Sequence, residues 1–145
     1  MSNTAVIFPG QGSQSVGMLG SLAERYPIVR KTFDEASDAL GNDLWSLAAD
    51  GPAERLDQTE WTQPTLLAAD IAVWRAYREA GGAMPGSMAG HSLGEYAALV
   101  AAGSLELADA VRIVRKRGQL MQAAVPEGTG AMAAVLGLND ETVAE

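Results

Sequence analysis

Residues 87–94, which read SMAGHSLG, contain the turn that decides the fold. A strand is predicted over Ser87 to Gly90 and a helix over Leu93 to Ala102, so the G-x-S-x-G pattern at Gly90 to Gly94 joins a strand directly to a helix. Its two glycines allow a turn sharp enough to present the Ser92 hydroxyl above a sheet, with the positive end of the helix close to it. This context favours a nucleophilic serine.

A second interpretation of the same turn is purely structural. Ser92 and Glu95 have the spacing of a capping box, in which the serine caps the helix and the glutamate bonds back to it. The pattern also occurs by chance in proteins that are rich in glycine and alanine. The strand-to-helix context favours the catalytic interpretation. Glu95 is then expected to be a charge in the first helical turn rather than a catalytic acid.

Strand and helix patterns alternate on both sides of this turn. The run from Ala5 to Phe8 is apolar without alternation, which predicts a strand covered on both faces. Helices are predicted at Val16–Leu40 with a break at Pro27 and a stop at Gly41, at Leu44–Ala49, from Gln63-Pro64 to Gly81-Gly82, at Leu93–Ala102 and at Leu105–Gln122. The alternation predicts an α/β fold with a mainly parallel sheet, whose ligands should lie at the carboxyl ends of the strands.

The last part of the sequence begins another unit of this pattern. An apolar run from Ala131 to Leu138 predicts a strand, and Asn139-Asp140-Glu141 predicts the start of a helix. That strand would have no partner and an uncovered face. We therefore expect the 145 residues to be a fragment of a larger domain.

Composition excludes several classes of protein. The chain carries 18 acidic and 10 basic residues, a formal net charge of −8, which disfavours a broad nucleic-acid surface. It has no cysteine, so disulfides, thiol nucleophiles and thiolate metal sites are excluded, and no metal site is predicted. The first basic residue is Arg25, and Asp70 interrupts the longest apolar stretch. Neither a secretory signal nor a membrane span is expected, and a cytoplasmic location is favoured.

A serine nucleophile needs a base, and the only histidine of the chain is His91. His91 precedes Ser92 on the strand side of the turn, where consecutive side chains point to opposite faces. We therefore expect His91 to pack beside the site as a supporting residue and not to take the proton of Ser92. Either the site is not catalytic, or the general base lies outside these 145 residues.

The glycine-rich loop at residues 10–14, GQGSQ, allows three interpretations. A phosphate cradle is the weakest, because the loop lacks the Gly-Lys-Ser/Thr ending of a P-loop and the third glycine of a dinucleotide fingerprint. A backbone amide at Gln11, flanked by glycines, could approach a ligand closely and donate to an oxyanion. A plain strand-to-helix connection is the third interpretation.

Four basic residues lie between Arg112 and Arg117, and a helical pattern separates them. Arg117 has apolar neighbours three and four positions away, so it lies at the border of the buried face. An isolated buried charge is costly and no acidic residue lies one turn away, so Arg117 needs a partner from elsewhere. That partner could be a distant carboxylate of the protein or a carboxylate of the substrate, which a guanidinium binds at two points.

Four blocks of the sequence together resemble one family. They are Phe8-Pro9-Gly10-Gln11-Gly12-Ser13-Gln14, Gln63-Pro64, Gly90-His91-Ser92-Leu93-Gly94-Glu95-Tyr96 and Arg117-Gly118. In this order and spacing they closely resemble malonyl-CoA:acyl-carrier-protein transacylases, and the start at Met1 just before the first strand resembles the free-standing bacterial enzymes. The resemblance extends over the whole chain.

The resemblance implies roles for particular residues. They are Ser92 as the nucleophile that carries the acyl group, the backbone amides of Gln11 and Leu93 as the oxyanion hole, Arg117 as the clamp for the malonyl carboxylate, and Gln63 as a polar residue lining the site. For Gln63, the alternative is a helix-start residue before Pro64. The implied reaction is ping-pong transfer of malonyl from malonyl-CoA to the phosphopantetheine thiol of acyl carrier protein for fatty acid synthesis, with a coenzyme A thioester as substrate and no bound cofactor.

The resemblance also implies a domain plan. Residues 1–127 would form part of a large acyltransferase domain with an α/β-hydrolase-like core, and residues 128–145 would begin a ferredoxin-like small subdomain. The general base of the family is a histidine in the C-terminal half, so the isolated chain is expected to be inactive. The alternatives are a serine esterase or thioesterase of the α/β-hydrolase type and a non-catalytic fragment.

A partner surface is expected on the helix that carries Arg117. We expect Arg112, Arg115 and Lys116 to face solvent and to help dock the carrier protein, which is typically acidic. A merely solvated helix face is the alternative interpretation. No nucleic-acid or membrane partner is expected.

Overall fold

The structure of the chain is a computed structural model that describes residues 3–125, 129, 135 and 137–144. Its elements, in chain order, are β1 (Ala5–Phe8), α1 (Gly20–Arg25), α2 (Ile28–Leu40), α3 (Leu44–Asp50), α4 (Ala53–Leu56), α5 (Thr59–Glu79), β2 (Ser87–Gly90), α6 (Gly94–Ala101), α7 (Leu107–Ala124) and α8 (Asp140–Ala144). The helix α4 was not predicted from the sequence.

The two strands pair in parallel, in a register that places Ala5 opposite Ser87 and Phe8 opposite Gly90. The carboxyl ends of β1 and β2 therefore lie side by side, and the pairing continues one step further because the His91 amide donates to the Phe8 carbonyl at 3.2 Å. An α/β fold with parallel pairing is thus confirmed. The residues that come directly after the two strands, including Ser92, therefore lie at the same edge of the sheet.

The central helix of the core is α5, which packs against α2 and α7. Its residues from Thr62 to Ala72 are buried without interruption, as expected of a helix covered on several sides. Fully buried partners from the neighbouring helices include Phe33, Leu44, Val111 and Val114. None of the helices in the described ranges is long and apolar enough to cross a membrane.

The strand β1 is covered less than its sequence predicts. Phe8 is buried, but Ile7 is 75% exposed, so within the described ranges only one face of β1 packs against helices. The prediction of cover on both faces was wrong for the described part of the chain. A short apolar run is equally compatible with one covered face, because each face of so short a strand carries only two side chains.

The C-terminal predictions are tested only in part. Most of the strand predicted from Ala131 to Leu138 lies outside the described residues. The helix start predicted after it is confirmed, because α8 begins at Asp140 and the Asn139 carboxamide oxygen accepts from the Thr142 amide at 2.9 Å. Asn139 thus satisfies one of the amides at a helix N-terminus that lack an intrahelical partner.

The helix α5 begins at Thr59, four residues before the start predicted at Gln63-Pro64. Pro64 therefore lies inside the helix. Because proline has no N–H, the Glu60 carbonyl lacks the donor that would normally bond to it. The Arg115 guanidinium, from α7, donates to that carbonyl at 3.0 Å. A tertiary hydrogen bond thus compensates for the proline, which no local pattern around Pro64 reveals.

Arg115 makes further contacts with the start of α5. It forms an ion pair with Glu60 at 3.0 Å, and its guanidinium carbon lies 3.4 Å from the centre of the Trp61 ring. Its side chain is 19% exposed, and burial lowers its pKa from the ordinary arginine value. The expectation that Arg115 faces solvent was therefore wrong, because the guanidinium is engaged between α5 and α7.

Replacing Arg115 by methionine should lower the free energy of unfolding by about 2–3 kcal/mol, because the Glu60 carbonyl and carboxylate would lose their partner in a half-buried place. Urea denaturation followed by circular dichroism measures this loss. The matched control is Arg112→Met on the same helix. Arg112 is 55% exposed, and its contacts with Asp109 and the Ala39 carbonyl are exposed to water, so its loss should cost about 1 kcal/mol. Equal costs for the two variants would show that Arg115 does not compensate for Pro64.

Candidate active site

Ser92 occupies the turn between β2 and α6 in a strained backbone conformation. Its φ of 53° lies in the left-handed region, which residues other than glycine rarely adopt. Such strain persists only where the surrounding structure enforces it, and it is typical of a serine held at the tip of a strand-to-helix turn.

Two glycines make this conformation possible, because without a Cβ atom they let backbone segments come into direct contact. A Cβ atom on Gly90 would lie 1.9 Å from the carbonyl carbon of Gly94, and one on Gly94 would lie 2.3 Å from the Phe8 carbonyl oxygen. No side chain fits at either position. The first turn of α6 therefore rests directly on the ends of β1 and β2, and Ser92 is forced out at the tip.

The capping interpretation of Ser92 was wrong. The helix α6 has no side-chain cap, and the Ser92 hydroxyl is instead bonded to Arg117. Glu95 lies exposed in the first turn of the helix, as expected for a charge near a helix N-terminus.

Arg117 connects the serine to the central helix. Its Nη2 donates to Ser92 Oγ at 2.9 Å, and its Nη1 donates to Gln63 Oε1 at 2.8 Å. The Tyr96 ring lies at 6.0 Å from the guanidinium carbon, at the limit of a cation–π contact. The structure thus brings together Ser92, Gln63 and Arg117, which are far apart in the sequence.

The charge of Arg117 has no acidic partner in the described part of the chain. The ion pairs found there join Arg75 to Glu35, Arg112 to Asp109 and Arg115 to Glu60. Both hydrogen-bond acceptors of Arg117 are neutral groups. Of the two partners that the sequence left open, a carboxylate of the protein is therefore absent among the described residues, and the guanidinium can bind an anion next to Ser92 Oγ.

An apolar cavity of about 680 Å³ opens beside Arg117 along α7. Its apolar walls include Ile113, Leu120 and Met121, which are all partly exposed. Lys116 also lines it. Arg117 therefore lies where an apolar surface meets the polar groups around Ser92.

Gln63 is completely buried, and its position within α5 rules out the interpretation as a helix-start residue. Its carboxamide oxygen accepts from Arg117, and its Nε2 donates to the Met121 sulfur at 3.2 Å. Met121 was not predicted as a site residue. The signal that could have revealed it is its position four residues after Arg117, on the same face of α7.

The backbone amides of Gln11 and Leu93 have no hydrogen-bond partner within the described ranges. The Leu93 side chain is fully buried, which anchors the residue after Ser92. The Gln11 side chain donates to the Thr59 hydroxyl at 3.1 Å, and Gln14 donates to Asp57 at 3.0 Å. The loop after β1 is thus bound to the start of α5, with the Gln11 amide left unpaired.

His91 lies against Gly10, and among the described residues its imidazole makes no hydrogen bond to the serine hydroxyl. A Cβ atom on Gly10 would lie 3.0 Å from His91 Nδ1, so the imidazole covers the start of the glycine-rich loop. The residue is exposed, and the hydrogen bond described for Ser92 Oγ comes from Arg117. The chain contains no second histidine.

Asp70, which interrupts the longest apolar stretch of the sequence, is a buried carboxyl group. Its Oδ2 has no partner in the described structure, and burial raises its pKa to about 7. It borders a cavity of about 390 Å³ that includes Phe8, Trp74 and Tyr77. An unpaired carboxylate is costly in such surroundings, so the group stays protonated into the neutral range.

Comparison with known proteins places the chain in one family. The model of the acyl transferase domain family matches residues 5–144, and the chain belongs to that family. The malonyl CoA-acyl carrier protein transacylase of Salmonella typhimurium is 60% identical over all 145 residues, which are 47% of that protein. The chain thus spans about half the length of the curated relatives it matches.

Solved structures agree with this assignment. FabD from Acinetobacter baumannii is 63% identical with a TM-score of 0.92, and the match covers 98% of this chain and 45% of that one. A malonyl-transacylase in complex with a type II PKS acyl-carrier protein is 57% identical with a TM-score of 0.91, over 96% of this chain and 45% of that one.

The protonation of Asp70 should make stability depend on pH. An unfolded carboxyl group ionises near pH 4, whereas the folded one ionises near 7, so the folded state loses stability as the pH rises between these values. The full difference is of the order of 4 kcal/mol. Asp70→Asn does not titrate, so its stability relative to the unchanged protein should increase from pH 5 to pH 8 in urea denaturation. A relative stability that stays constant across this range would contradict the raised pKa.

Proposed function

We propose that the protein transfers a malonyl group from malonyl-CoA to the phosphopantetheine thiol of acyl carrier protein, with this chain supplying the nucleophile and the carboxylate clamp. The observation that carries the proposal is the hydrogen bond between the uncompensated Arg117 guanidinium and Ser92 Oγ. A substrate carboxylate bound by Arg117 would place the rest of a short acyl group within reach of the serine. The names of the relatives support the same reaction.

In the first half of the reaction, Ser92 Oγ attacks the thioester carbonyl carbon of malonyl-CoA and gives its proton to a base. The carbonyl oxygen becomes an oxyanion, to which the unpaired amides of Gln11 and Leu93 donate. The carbon–sulfur bond then breaks, coenzyme A leaves as a thiol after protonation, and the malonyl group remains on Ser92 as an ester.

In the second half, the phosphopantetheine thiol attacks the Ser92 ester and the serine leaves with a proton. No oxidant, reductant or resident cofactor enters this scheme, and the coenzyme A thioester is a substrate. We propose that the base is a histidine outside these 145 residues, as the resemblance implies. The position of His91, their only histidine, against Gly10 supports this. The scheme requires that water be kept from the ester between the two halves.

Arg117 has two tasks in this mechanism. Before substrate binds, its positive charge near Ser92 Oγ favours the ionised form of the hydroxyl electrostatically. When malonyl binds, the fork of the guanidinium meets both oxygens of the carboxylate. Gln63 keeps the guanidinium in place from the buried side.

The finer architecture is also a proposal, and the resemblance to this family supports it. We propose an α/β-hydrolase-like core for the large domain that includes residues 1–127, and a ferredoxin-like small subdomain that begins at residue 128. The reaction would serve fatty acid synthesis in the cytoplasm, with malonyl-CoA and acyl carrier protein as partners. A serine esterase would share the turn at Ser92 but has no use for a carboxylate clamp.

A covalent intermediate should form on Ser92. When the protein expressed from its complete reading frame meets malonyl-CoA, rapid quenching and mass spectrometry should show one malonyl group on the peptide that contains Ser92, because ping-pong transfer requires the ester. Ser92→Ala should show none. An adduct that survives this substitution would remove Ser92 as the nucleophile.

Arg117→Ala in the same protein should reduce malonyl transfer far more than acetyl transfer, since only malonyl has a free carboxylate. Loss of one partner of a desolvated charge pair costs about 2–5 kcal/mol, which corresponds to a loss of roughly 30-fold or more in kcat/KM for malonyl-CoA. Parallel assays with malonyl-CoA and acetyl-CoA measure the ratio. Equal losses for both thioesters would favour a structural role for Arg117 and the esterase alternative.

Carrier docking is proposed for Lys116 and Arg112 of α7, both of which are exposed. Arg112 also donates to Asp109 and to the Ala39 carbonyl, so Lys116 provides the cleaner test. Lys116→Glu should raise KM for an acidic carrier protein and leave KM for malonyl-CoA unchanged, with a smaller defect at high salt. The matched control is Lys31→Glu on α2, an exposed lysine of another helix. A defect that is independent of salt, or one shared by Lys31→Glu, would contradict docking at this surface.

A further inference from the structure

Met121 contacts the buried amide that holds Arg117. Gln63 Nε2 donates to Met121 Sδ at 3.2 Å, Gln63 Oε1 accepts from Arg117, and Arg117 donates to Ser92 Oγ. These contacts form one continuous chain from the thioether of Met121 to the serine hydroxyl. The methionine is at its outer end and is 37% exposed, whereas Gln63 is fully buried.

The orientation of the Gln63 amide is decided by its neighbours. A guanidinium has donors only, so it can face the carboxamide oxygen and not the carboxamide nitrogen. With the oxygen directed to Arg117, the NH₂ group must point the other way. Gln63 is fully buried, so water cannot accept a hydrogen bond from this group. A buried donor needs an acceptor, and the Met121 sulfur provides it.

The side chains next to Met121 cannot replace this acceptor. Leu120 and Ile113 line the same cavity and have no polar atom. Leucine at position 121 would fill nearly the same volume without accepting a hydrogen bond. The Gln63 amide would then have no acceptor for its NH₂ group in the observed orientation, and in the flipped orientation its NH₂ group would meet the guanidinium.

We propose that Met121 is a positioning residue that orients the Arg117 guanidinium through the Gln63 amide and thereby favours acyl thioesters that carry a free carboxylate. The part that concerns the substrate rests on the proposed function. The contact between Met121 and Gln63 does not depend on it. Met121 itself touches neither the serine nor, in this scheme, the reacting atoms.

Kinetics of the protein expressed from its complete reading frame test the proposal. Met121→Leu should lower kcat/KM for malonyl-CoA about tenfold, chiefly by raising KM, and should lower acetyl transfer by less than about threefold. Met121→Gln, which has a similar length and restores an acceptor, should stay within about threefold of the unchanged protein. The control is Met84→Leu, an exposed methionine between α5 and β2, which should have no effect. Equal losses of malonyl and acetyl transfer in Met121→Leu would overturn the proposal.

Double substitution separates positioning from packing. If Met121 acts through Gln63, the variant with both Gln63→Leu and Met121→Leu should lose no more malonyl transfer than Gln63→Leu alone. If Met121 contributes only apolar packing, the two losses should multiply. Multiplying losses would therefore also overturn the proposal.

An NMR measurement that does not depend on catalysis tests the Met121–Gln63 contact separately from the proposed function. In ¹⁵N-labelled protein, the side-chain amide signal of Gln63 can be assigned by its absence in Gln63→Leu. It should shift in Met121→Leu and not in Met84→Leu. An unchanged signal would overturn the contact. If the signal shifts while the unchanged protein transfers no malonyl, the proposed function fails and the Met121–Gln63 contact stands.

Discussion

The close contact of backbone at Gly90 and Gly94 is the constraint on which the rest of the site depends. Neither position has room for a Cβ atom, and Gly94 lies against the Phe8 carbonyl. The helix α6 can therefore begin directly at the ends of the two paired strands, and the chain between them has to pass through a left-handed conformation at Ser92. The Leu93 amide and the loop after β1 come to the same edge for the same reason.

A comparable contact brings the basic side chain to the serine. Gly118 is buried, and a Cβ atom there would lie 2.7 Å from Glu60 Cα, so α7 and α5 meet at backbone distance. Arg117 is its neighbour in the sequence and reaches both Gln63 and Ser92. Because these acceptors are neutral, the positive charge is held in place without being cancelled. This is the electrostatic condition that a carboxylate-binding site requires.

The region around Pro64 shows where local patterns stop being informative. A proline at the start of a helical pattern is normally a sign of the first turn, and the sequence analysis placed the helix start at Gln63 accordingly. In the structure the helix begins at Thr59, and Arg115 from another helix bonds to the carbonyl that Pro64 leaves free. The same contact removes Arg115 from the surface. A residue some fifty positions away cannot be found from helical periodicity alone.

The sequence by itself determined the two strands, the order of the main helices, the glycine-flanked turn at Ser92 and the border position of Arg117, since these depend on short-range steric rules and on periodicity. Only the tertiary structure decided what Arg117 bonds to, that Gln63 is buried behind it and that Met121 contacts Gln63. These are contacts between α5, α7 and the turn that precedes α6. They depend on how closely the helices approach each other, which the backbone contacts at glycines control and which no single segment of the sequence specifies.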